Sequence, residues 1–588
     1  MNNGTDVLVI GAGPSGLLLS NLLAGYGCRV TLVERLPELI DYPRAIRVDD
    51  ESMRSIQAAG LAEEVSAHLA PQHAIRVLNA RGRIIAEMAP TVEEYGWPRR
   101  NGFIQPLVDR VLYDGLARYD GVEILLGHEV TDLEESDDGV TAWIKTPAGE
   151  AIGRTASYVV GCEGGRSLTR RWMGVDFEGV STGTRWLVVD VDNDPLGTPN
   201  AIFGADPRRP HGSFGLPHGV RRWEFMLLDH EPDSVVDDEE FVRGLLAEHA
   251  PDPGELNIAR RRTFTHHGRL ASGFRKGRVL LAGDAAHLMP TWAGQGWNSC
   301  IRDATNLAWK LAAVVDGRAR DTLLDTYDQE RRDHAHAMIK LSLTMGRVFG
   351  TTSRAAAGVR DSLAAGLNLV PRAKKYLTDM RWKPMPRYEA GVVVDAATRT
   401  PGQSSGRMPG RLGSRSLVNK VHTPVVGVQF PQPRVSTAAH RSVRLDDALD
   451  GGPGGGWHVL VWGNDPGEIF SERSHRRLAR LGASLVRVVP ELRRPWTERN
   501  TSDGVTVVGD VEGRVKAWFD DRPFSVVFLR PDRFIAAVGL TGEADETLAA
   551  VLTAMSFEEN GSFEEGSSAE DGAVRPAPRR PEHRRADR

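Results

Sequence analysis

Cysteine is scarce in this chain: Cys28, Cys162 and Cys300 are the only three among 588 residues, and they form no CxxC pair. A disulfide framework or a zinc site is therefore not expected, and a reducing cytoplasm fits this cysteine usage. Basic residues are not in excess, because 73 lysines and arginines face 78 acidic residues and leave a net charge of −5. That balance argues against a nucleic-acid partner.

Long apolar runs are also missing from the sequence. No stretch of eighteen apolar residues occurs, so neither a transmembrane helix nor a membrane partner is predicted. The N-terminal segment MNNGTDVLVIGAG has no basic region and glycines interrupt its apolar run, which argues against a signal peptide. Two close pairs of histidines, His334 with His336 and His266 with His267, are predicted to face different sides of a helix or strand. No metal site is therefore predicted.

The residues that are present predict an α/β protein of three domains, because the length exceeds what one core supports. A short strand, glycine turn, helix and second strand at the N-terminus predict a Rossmann-like domain. Alternating apolar residues after Asp176 predict an inserted antiparallel sheet. The predicted bounds are 1–175 with 274–400 for the first domain, 176–273 for the inserted substrate domain, 416–555 for a third domain and 556–588 for a disordered tail.

A glycine fingerprint, VLVIGAGPSG, opens the first domain. Gly11 allows a tight turn, Gly13 lets the backbone approach a pyrophosphate, and Gly16 allows close packing of helix on strand. The phosphate charge is expected at the helix N-terminus, and Glu34 follows the second strand, where its carboxylate can bind a ribose diol. The alternative is a set of glycines that serves packing alone. The fingerprint does not choose between NAD and FAD.

A second glycine and acid site lies far along the chain, in GRVLLAGDAAHLMPTWAGQGWNS. Asp284 follows an apolar strand and Gly283, where its carboxylate can bind the ribityl chain of a flavin. The loop 291–298, which contains Gly294, Gly296 and Asn298, is expected to place backbone N–H groups against a flavin ring. NAD has no ribityl chain, so this second site favours FAD as the cofactor. The alternative is an ordinary capped turn between a strand and a helix.

These two motifs and the intervening YVVGCEGGRSLTRRWMG together resemble the class A flavoprotein monooxygenases, the aromatic hydroxylases of the p-hydroxybenzoate hydroxylase type. The family's third motif is usually Cys-Asp-Gly, and Glu163 replaces the aspartate here. Within the family, the chain resembles the hydroxylases of 3-(3-hydroxyphenyl)propionate and 3-hydroxycinnamate over roughly residues 5–550. The stretches that carry this likeness are LIDYPRAIRVDDESMRSIQAAGL, GWPRRNGFIQPLVDRVLYDG, PHGVRRWEFM and DTYDQERRDHAHAM.

The resemblance implies an FAD-dependent monooxygenase of aromatic degradation that works in two halves. NADH reduces FAD, and reduced FAD with O2 then forms a C4a-hydroperoxide that hydroxylates the small aromatic acid ortho to its phenol, giving a 2,3-dihydroxy catechol. Water has to be excluded from the site during the second half-reaction, so that the hydroperoxide does not break down to H2O2. Two alternatives stay open: the same chemistry on another aromatic, such as a polyketide or antibiotic, and a flavin reductase or sensor without oxygen insertion.

The resemblance also implies roles for particular residues. Arg44 and Gln105 take flavin-facing positions, and Arg35 joins the predicted cofactor-binding set. Pro290 takes the place of the loop proline whose carbonyl contacts substrate or flavin, and is therefore predicted to be catalytic as well. Arg47 and Trp297 depart from the family pattern, and both are expected to reshape the aromatic pocket.

Groups for the substrate and its proton follow from the chemistry. A carboxylate calls for an arginine, and indoles suit a water-excluding pocket; the predicted substrate-binding residues are Arg47, Arg222, Trp292 and Trp297. A phenol calls for a nearby base, for which the candidates are Asp49, Asp50, His218 and His287. Asp49 and His218 are predicted to be catalytic. Helix N-capping is the alternative for Asp49 and Asp50, and core filling is the alternative for the two tryptophans.

The third domain resembles the thioredoxin-like C-terminal domain of larger family members. It contains none of the three cysteines, so dithiol chemistry is excluded. Its expected role is packing or assembly of a homo-oligomer.

Overall fold

The computed structural model describes residues 4–42, 44–197, 199–394, 425–449 and 455–559. The predicted linker that ends near residue 415 lies outside these ranges, as does the predicted tail beyond its first four residues. Within those four residues, Phe557 is buried and forms a β-bridge with Ala319, so the predicted disorder does not begin at residue 556.

The first sheet carries the N-terminal strand Thr5–Ile10 at its centre. This strand pairs in parallel with Val30–Glu34 on one side and with Ala151–Gly161 on the other. Its last four residues are all buried, as expected for a parallel strand covered on both faces. The full order is Arg275–Lys276, Val279–Leu281, Ala151–Gly161, Thr5–Ile10, Val30–Glu34 and Val122–Leu126. Gly139–Lys145 pairs antiparallel with Ala151–Gly161, and Glu129–Ser136 pairs antiparallel with Gly139–Lys145.

The second sheet contains the predicted antiparallel insertion. Its order is His287–Leu288, Ile258–Ala271, Phe177–Val191, Arg221–Leu227, His211–Gly215, Ala201–Ala205, Ile75–Asn79 and Ile84–Met88. Strands from before residue 90 and from after residue 286 thus complete this sheet, and the predicted domain bounds stay a prediction. One face packs Leu187, Trp223 and Phe225 with the helix Glu239–Ala247. The other face carries Trp186 and Glu224 and faces a cavity.

A small third sheet joins the first two regions. It consists of Arg47–Asp49, Arg100–Phe103 and Leu69–Ala70, all antiparallel. Asn298 anchors it, because its side-chain oxygen accepts the N–H of Asp49 at 2.9 Å and its amide nitrogen donates to the carbonyl of Arg47 at 3.2 Å. The sheet is therefore tied to the start of the long helix Gly296–Val315.

The C-terminal region forms its own sheet in the order Val443–Arg444, Arg434–Ser436, Val505–Asp510, Ser484–Pro490, His458–Trp462, Val526–Leu529 and Ile535–Gly539. The three strands from Val505–Asp510 to His458–Trp462 are parallel, and an antiparallel hairpin follows them. This arrangement confirms the predicted thioredoxin-like domain. Arg530 of this domain binds Glu330 at 2.7 Å in a fully buried ion pair that also takes in Lys310.

The helices alternate with these strands along the chain. In chain order they are Pro14–Gly25, Asp50–Ala58, Ala62–Ser66, Gln105–Asp114, Leu168–Met173, Glu239–Ala247, Gly296–Val315, Asp325–Phe349, Arg354–Asn368, Pro371–Thr378, Leu445–Ala448, Pro466–Ile469, Glu472–Leu481, Arg494–Glu498, Arg514–Asp520 and Ala544–Ala554. Among the described residues, no helix combines the length and the hydropathy that crossing a bilayer requires.

Candidate active site

The glycine fingerprint folds into the turn that its spacing predicts. Gly11 has φ +106°, and a Cβ there would lie 2.7 Å from the carbonyl oxygen of Cys162. A Cβ on Gly16 would lie only 2.0 Å from the carbonyl oxygen of Gly11, whereas a Cβ on Gly13 would meet no atom within 4 Å. Gly11 and Gly16 therefore serve close packing, and Gly13 borders open space at the start of the helix Pro14–Gly25.

Glu34 lies at the end of the second strand, next to this turn. Its carboxylate accepts the N–H of Ala12 at 2.8 Å and the N–H of Leu36 at 2.9 Å. These bonds fix the carboxylate beside the glycine turn, where the ribose contact predicted for it stays a prediction. Arg35, the next residue, is exposed at the surface.

The second glycine and acid site packs directly against the first. A Cβ on Gly283, which has φ +64°, would lie 2.1 Å from the hydroxyl oxygen of Ser15. The Ser15 hydroxyl donates to the carbonyl of Cys300 at 3.4 Å. Asp284 is half-buried; burial raises the pKa of its carboxyl, and its one hydrogen bond among the described residues comes from the Cys300 thiol at 3.7 Å. Two segments that are distant in sequence thus converge, with a carboxylate free to bind hydroxyls.

Two helices point uncapped N-termini into this region. Gly13 precedes Pro14–Gly25 and Gln295 precedes Gly296–Val315, and neither provides a side-chain cap. A Cβ on Gly296 would meet no atom within 4 Å. Free N–H groups at a helix start bind anions and polar ligand edges. Together with the open space at Gly13 and the available Asp284, these groups fit the FAD predicted from the sequence, and the place of each part of the cofactor stays a prediction.

The predicted flavin-facing residues surround the same region. The side-chain oxygen of Gln105 accepts the N–H of Ala45 at 2.8 Å, and its amide nitrogen donates to Asp109 at 2.9 Å. Burial raises the pKa of Asp109 to about 7. Arg44 is exposed, and its positive charge partly opposes the rise in the pKa of Asp109 and of Asp284, so its guanidinium lies near both carboxyls. Gln105 thus holds the segment that carries Arg44 beside the second site.

The loop after Asp284 is held in place by Asn298 and Gly294. The amide nitrogen of Asn298, which is fully buried, donates to the carbonyl of Gly294 at 2.8 Å. Gly294 takes the left-handed conformation at φ +58°, and a Cβ there would lie 3.4 Å from the side chain of Arg47. Pro290 is buried immediately before the single turn Thr291–Ala293. The loop therefore passes between the predicted FAD site and Arg47.

Glu163, which departs from the family motif, serves its own segment. Its carboxylate accepts the N–H of Thr169 at 2.7 Å, at the start of the helix Leu168–Met173. The other carboxylate oxygen is buried without a partner among the described residues. The carbonyl of the preceding Cys162 lies against Gly11, so the third motif supports the glycine turn.

A cavity of about 840 Å³, its mouth included, lies between the second sheet, the loop at Trp292 and the helix Asp325–Phe349. Its walls combine aliphatic and aromatic side chains with a few polar ones. The lining residues are Ile46, Arg47, His73, Ile75, Val77, Met88, Arg100, Trp186, Phe203, Phe214, Glu224, His266, Thr291, Trp292, Gly294, Met345 and Phe349. A mostly apolar pocket with a few convergent polar groups is typical of a small-molecule site.

Trp292 forms the aromatic wall of this cavity. Its ring meets Trp186 edge to face at 5.3 Å and Phe203 at 5.1 Å between centroids. His266 lies beside the same rings and shares a hydrogen bond with the Thr291 hydroxyl at 2.9 Å. Burial lowers the pKa of His266 to about 4, so its imidazole is neutral at pH 7. This end of the cavity is uncharged.

Glu224 is the acidic residue of the cavity, and the sequence analysis missed it. It lies on the strand Arg221–Leu227, between neighbouring-strand positions Val188 and Gly212. Burial raises the pKa of its carboxyl to about 7, against the lowering influence of Arg222 at 4.0 Å. A carboxyl with that pKa can accept a proton near neutral pH. The alternation RRWEFML, with an acid on the face opposite Trp223 and Phe225, is the signal that could have identified it.

The predicted catalytic bases lie elsewhere. Asp49 caps the helix Asp50–Ala58 by accepting the N–H of Ser52 at 3.0 Å, and it also binds Lys383 at 2.8 Å. His218 is exposed on a turn, where its ring contacts His68 at 3.2 Å. Neither residue lines the cavity. The structure thus agrees with the N-capping alternative for Asp49 and gives no support to a catalytic role for either residue.

The remaining candidates divide between cavity and core. Of the predicted substrate residues, Arg47 and Trp292 line the cavity, whereas Arg222 and Trp297 do not. Arg222 is buried in an ion pair with Asp190 at 2.7 Å. Trp297 packs on Phe103 with 4.9 Å between ring centroids, which agrees with its core-filling alternative.

His287 is fully buried and binds Asp303 at 2.6 Å, so it is not available to a substrate. Asp50 is also buried, and burial and Asp49 raise its pKa to about 7.

Comparison with known proteins shows what this chain is similar to. A family described as FAD binding domain matches residues 4–342, and one described as HcaD C-terminal domain matches residues 427–554. The 3-(3-hydroxy-phenyl)propionate/3-hydroxycinnamic acid hydroxylase of Mycobacterium avium (strain 104) is 47% identical over 570 residues, covering 95% of this chain and 94% of that protein. The protein of the same name from Comamonas testosteroni is 47% identical over 559 residues, covering 91% of this chain and 94% of that protein.

Solved structures share the fold. The crystal structure of the flavin-dependent monooxygenase PieE, in complex with FAD and substrate, superposes with a TM-score of 0.73 at 21% identity. The match covers 94% of this chain and 99% of that one. The whole architecture, including the C-terminal sheet, is therefore that of a known flavin monooxygenase fold.

Proposed function

This chain belongs to the FAD-binding-domain family and to the hydroxylase family of its curated relatives, and we propose that it hydroxylates 3-(3-hydroxyphenyl)propionate and 3-hydroxycinnamate. It is an FAD-dependent monooxygenase, and in this proposal NADH and O2 are its co-substrates and the 2,3-dihydroxy catechol is its product. The observation that carries the proposal is the adjacency of two sites. The loop at Gly294 separates the FAD site from a cavity with aromatic walls and buried arginines.

The FAD site is formed by backbone more than by side chains. FAD, when bound, supplies the redox chemistry that activates O2. The N-terminus of Pro14–Gly25 would hold the pyrophosphate, Asp284 would bind the ribityl hydroxyls, and the N-terminus of Gly296–Val315 would offer N–H groups to the flavin. Arg44 and Gln105 would complete the wall, and Pro290 would orient the turn between FAD and substrate.

The cavity residues exclude water and orient the ring of the substrate. Trp186, Phe203 and Trp292 contact one another and form a wall against which an aromatic ring packs. Such a wall keeps water from the reacting atoms, which prevents loss of the oxidising equivalent as peroxide. Met345 and Phe349 close the cavity from the helix Asp325–Phe349.

Glu224 takes the role of proton acceptor in this proposal. Removal of the phenolic proton makes the ring more nucleophilic, and the acceptor has to lie in the cavity. Glu224 meets this requirement because its carboxyl lines the cavity and its pKa is raised to about 7 by burial. His266, neutral and bonded to Thr291, is positioned to order the phenol or a water beside it. A cytoplasmic location completes the proposal, since the three cysteines are buried and unpaired.

The test is the fate of NADH in the presence of substrate. We expect 3-(3-hydroxyphenyl)propionate to accelerate NADH oxidation by the FAD-loaded protein and to yield one catechol for each NADH consumed. The 4-hydroxyphenyl isomer and 3-hydroxybenzoate are the matched controls for ring position and side-chain length. If every phenol gives only H2O2 as NADH disappears, the hydroxylase proposal is wrong and the protein is a flavin oxidase or reductase.

A further inference from the structure

Two buried arginines face the substrate cavity without a counter-ion. Arg47 and Arg100 line the cavity, and only 9% and 3% of their surfaces are exposed. Within the described part of the chain, neither forms an ion pair; the Arg47 side chain makes no hydrogen bond, and Arg100 donates only its Nε, to the carbonyl of His73. Nε of Arg47 and Nη1 of Arg100 are buried donors without a partner.

The small sheet places both guanidinium groups on one face. Arg47 pairs with Gly102 and Asp49 pairs with Arg100, so Arg47 and Arg100 are diagonal neighbours across two antiparallel strands. A Cβ on Gly102 would lie 3.1 Å from the imidazole of His73, so this ring packs closely over the glycine. The pairing directs two cations into the same part of the cavity.

Other charges nearby do not neutralise this pair. Asp49 raises the pKa of Arg47, but its carboxylate is bound by Arg302 and Lys383. Burial, and then Arg47 itself, lower the pKa of Arg100, while burial lowers the pKa of Arg47 to about 10. His73 adds no charge, because burial lowers its pKa to about 3 and its Nε2 hydrogen donates to the carbonyl of Gly215 at 2.8 Å.

Unpaired buried charge is unfavourable, and buried cations are normally paired or bind a ligand. We propose that Arg47 and Arg100 form a receptor for the side-chain carboxylate of an arylalkanoic acid, which fixes the acid end of the substrate and selects acids over neutral phenols. The inference rests on the proposed function and goes beyond it, because it names the two groups that determine the substrate class. The sequence analysis did not identify Arg100 as a carboxylate-binding residue. Arg222, which it did identify, is paired with Asp190 and does not line the cavity.

Glu224 gives the substrate its direction in the cavity. It lines the same cavity and repels a carboxylate when ionised. A substrate with an acid at one end and a phenol at the other therefore satisfies both groups only when the acid meets the arginines and the phenol meets Glu224. A phenol without the acid leaves the two guanidinium groups unpaired.

The experiment compares binding of 3-phenylpropionate and its amide to the FAD-loaded protein by calorimetry. Neither ligand carries a phenol, so neither is hydroxylated, and they differ mainly in charge. We expect the wild-type protein to bind the acid at least about 100-fold more tightly than the amide, because two charge-assisted contacts are lost with the amide. Arg47→Gln and Arg100→Gln should each reduce this ratio by about 10- to 100-fold, with amide affinity unchanged.

Three controls keep the outcome clear. Arg76 lies on the strand Ile75–Asn79, where its exposed guanidinium pairs with Glu87. Arg76→Gln removes that guanidinium and should leave the acid-to-amide affinity ratio unchanged. Arg47→Lys and Arg100→Lys should restore part of the ratio because they restore charge without the planar donor set. Equal affinity of the wild-type protein for acid and amide would overturn the proposal without any variant.

The other outcomes separate this proposal from the proposed function. If Arg47→Gln releases FAD while the acid-to-amide ratio stays constant, Arg47 serves the cofactor and the receptor assignment is wrong. If the wild-type protein selects the acid but hydroxylates no phenol, the receptor stands and the proposed function fails. If it hydroxylates phenols with no preference for an acid, the hydroxylase proposal stands and the receptor assignment is wrong.

Discussion

Two clusters of buried charge meet at the short strand Arg47–Asp49, and they differ in whether the charge is balanced. In one cluster, Asp49 and Glu51 are paired with Arg302 and Lys383, with Arg302 Nε 2.8 Å from Glu51 and Lys383 Nζ 2.8 Å from Asp49. In the other, Arg47 and Arg100 face the cavity with no carboxylate in contact among the described residues. The same strand thus carries one charge that is satisfied inside the protein and one that is not.

The difference separates a structural cluster from a ligand site. Burial alone would raise the pKa of Asp49, but Arg302 and Lys383 lower it below its ordinary value, so the carboxylate stays ionised and holds the helix start. This balanced cluster ties the long helix Gly296–Val315 to the small sheet and so positions the loop at Gly294. Arg47 and Arg100 have no such internal role, and their charges are balanced only when an anionic ligand binds in the cavity.

The largest effect is expected from breaking the balanced cluster. Arg302→Met should lower the free energy of unfolding by about 3–5 kcal/mol, because it leaves two buried carboxylates with Lys383 alone. Denaturant unfolding of the ligand-free protein measures this change. Arg47→Met is the matched control, and it should leave the stability unchanged or raise it, since it removes a buried cation that has no partner. Equal destabilisation by both variants would contradict the distinction between the two clusters.

A smaller effect is expected from the acid of the cavity. Glu224→Gln should lower kcat by roughly 100-fold, the usual contribution of a general base. Since burial raises the pKa of Glu224 to about 7, the carboxylate fraction of the free enzyme rises with pH through that value, and kcat/KM of the wild-type protein should rise between about pH 6 and pH 8. The variant should lose that rise.

Steady-state rates across this pH range, with catechol as the measured product, decide the point. Asp49→Asn provides the comparison: it should lower stability and leave the pH profile of the remaining activity unchanged, because Asp49 lies outside the cavity. A rise with pH that survives in Glu224→Gln would assign the proton to another group.

The glycine turn of the proposed FAD site could be predicted from sequence because its determinants are local. Gly11, Gly13 and Gly16 act through backbone conformation and close approach, which spacing alone specifies, and their turn forms as predicted. The second site needed one further assumption, that the chain returns to the first sheet; the strand Val279–Leu281 does so by pairing with Ala151–Gly161. The C-terminal strands were predictable for the same local reason.

The cavity could not be predicted, because no single segment encodes it. It draws on the small sheet, on strands from Ile75–Asn79 to Ile258–Ala271, and on the helix Asp325–Phe349. Strand register decides that Glu224 faces it, whereas Trp297, in the first turn of the helix Gly296–Val315, packs on Phe103. The sequence offered both capping and catalysis for Asp49, with capping favoured, and the contacts with Ser52 and Lys383 agree with capping.

The smallest effect concerns Gly13, which sharpens the contrast between packing glycines and ligand-facing ones. Gly13→Ala should weaken FAD binding by about 10- to 100-fold, because a methyl group would occupy the space through which the pyrophosphate reaches the helix N-terminus. The apoprotein should unfold at nearly the wild-type temperature, since that Cβ meets no protein atom within 4 Å and Gly13, at φ −81° and ψ 179°, has a conformation open to alanine.

Gly16→Ala should do the opposite and destabilise the apoprotein, because its Cβ would lie 2.0 Å from the carbonyl oxygen of Gly11. Fluorescence titration with FAD and thermal unfolding of both apoproteins measure the two effects. Gly244→Ala, in a helix away from the site with no atom near its Cβ, should leave FAD affinity unchanged and raise the unfolding temperature slightly, because alanine favours a helix interior more than glycine does. Unchanged FAD affinity in Gly13→Ala would mean that the pyrophosphate does not approach this turn.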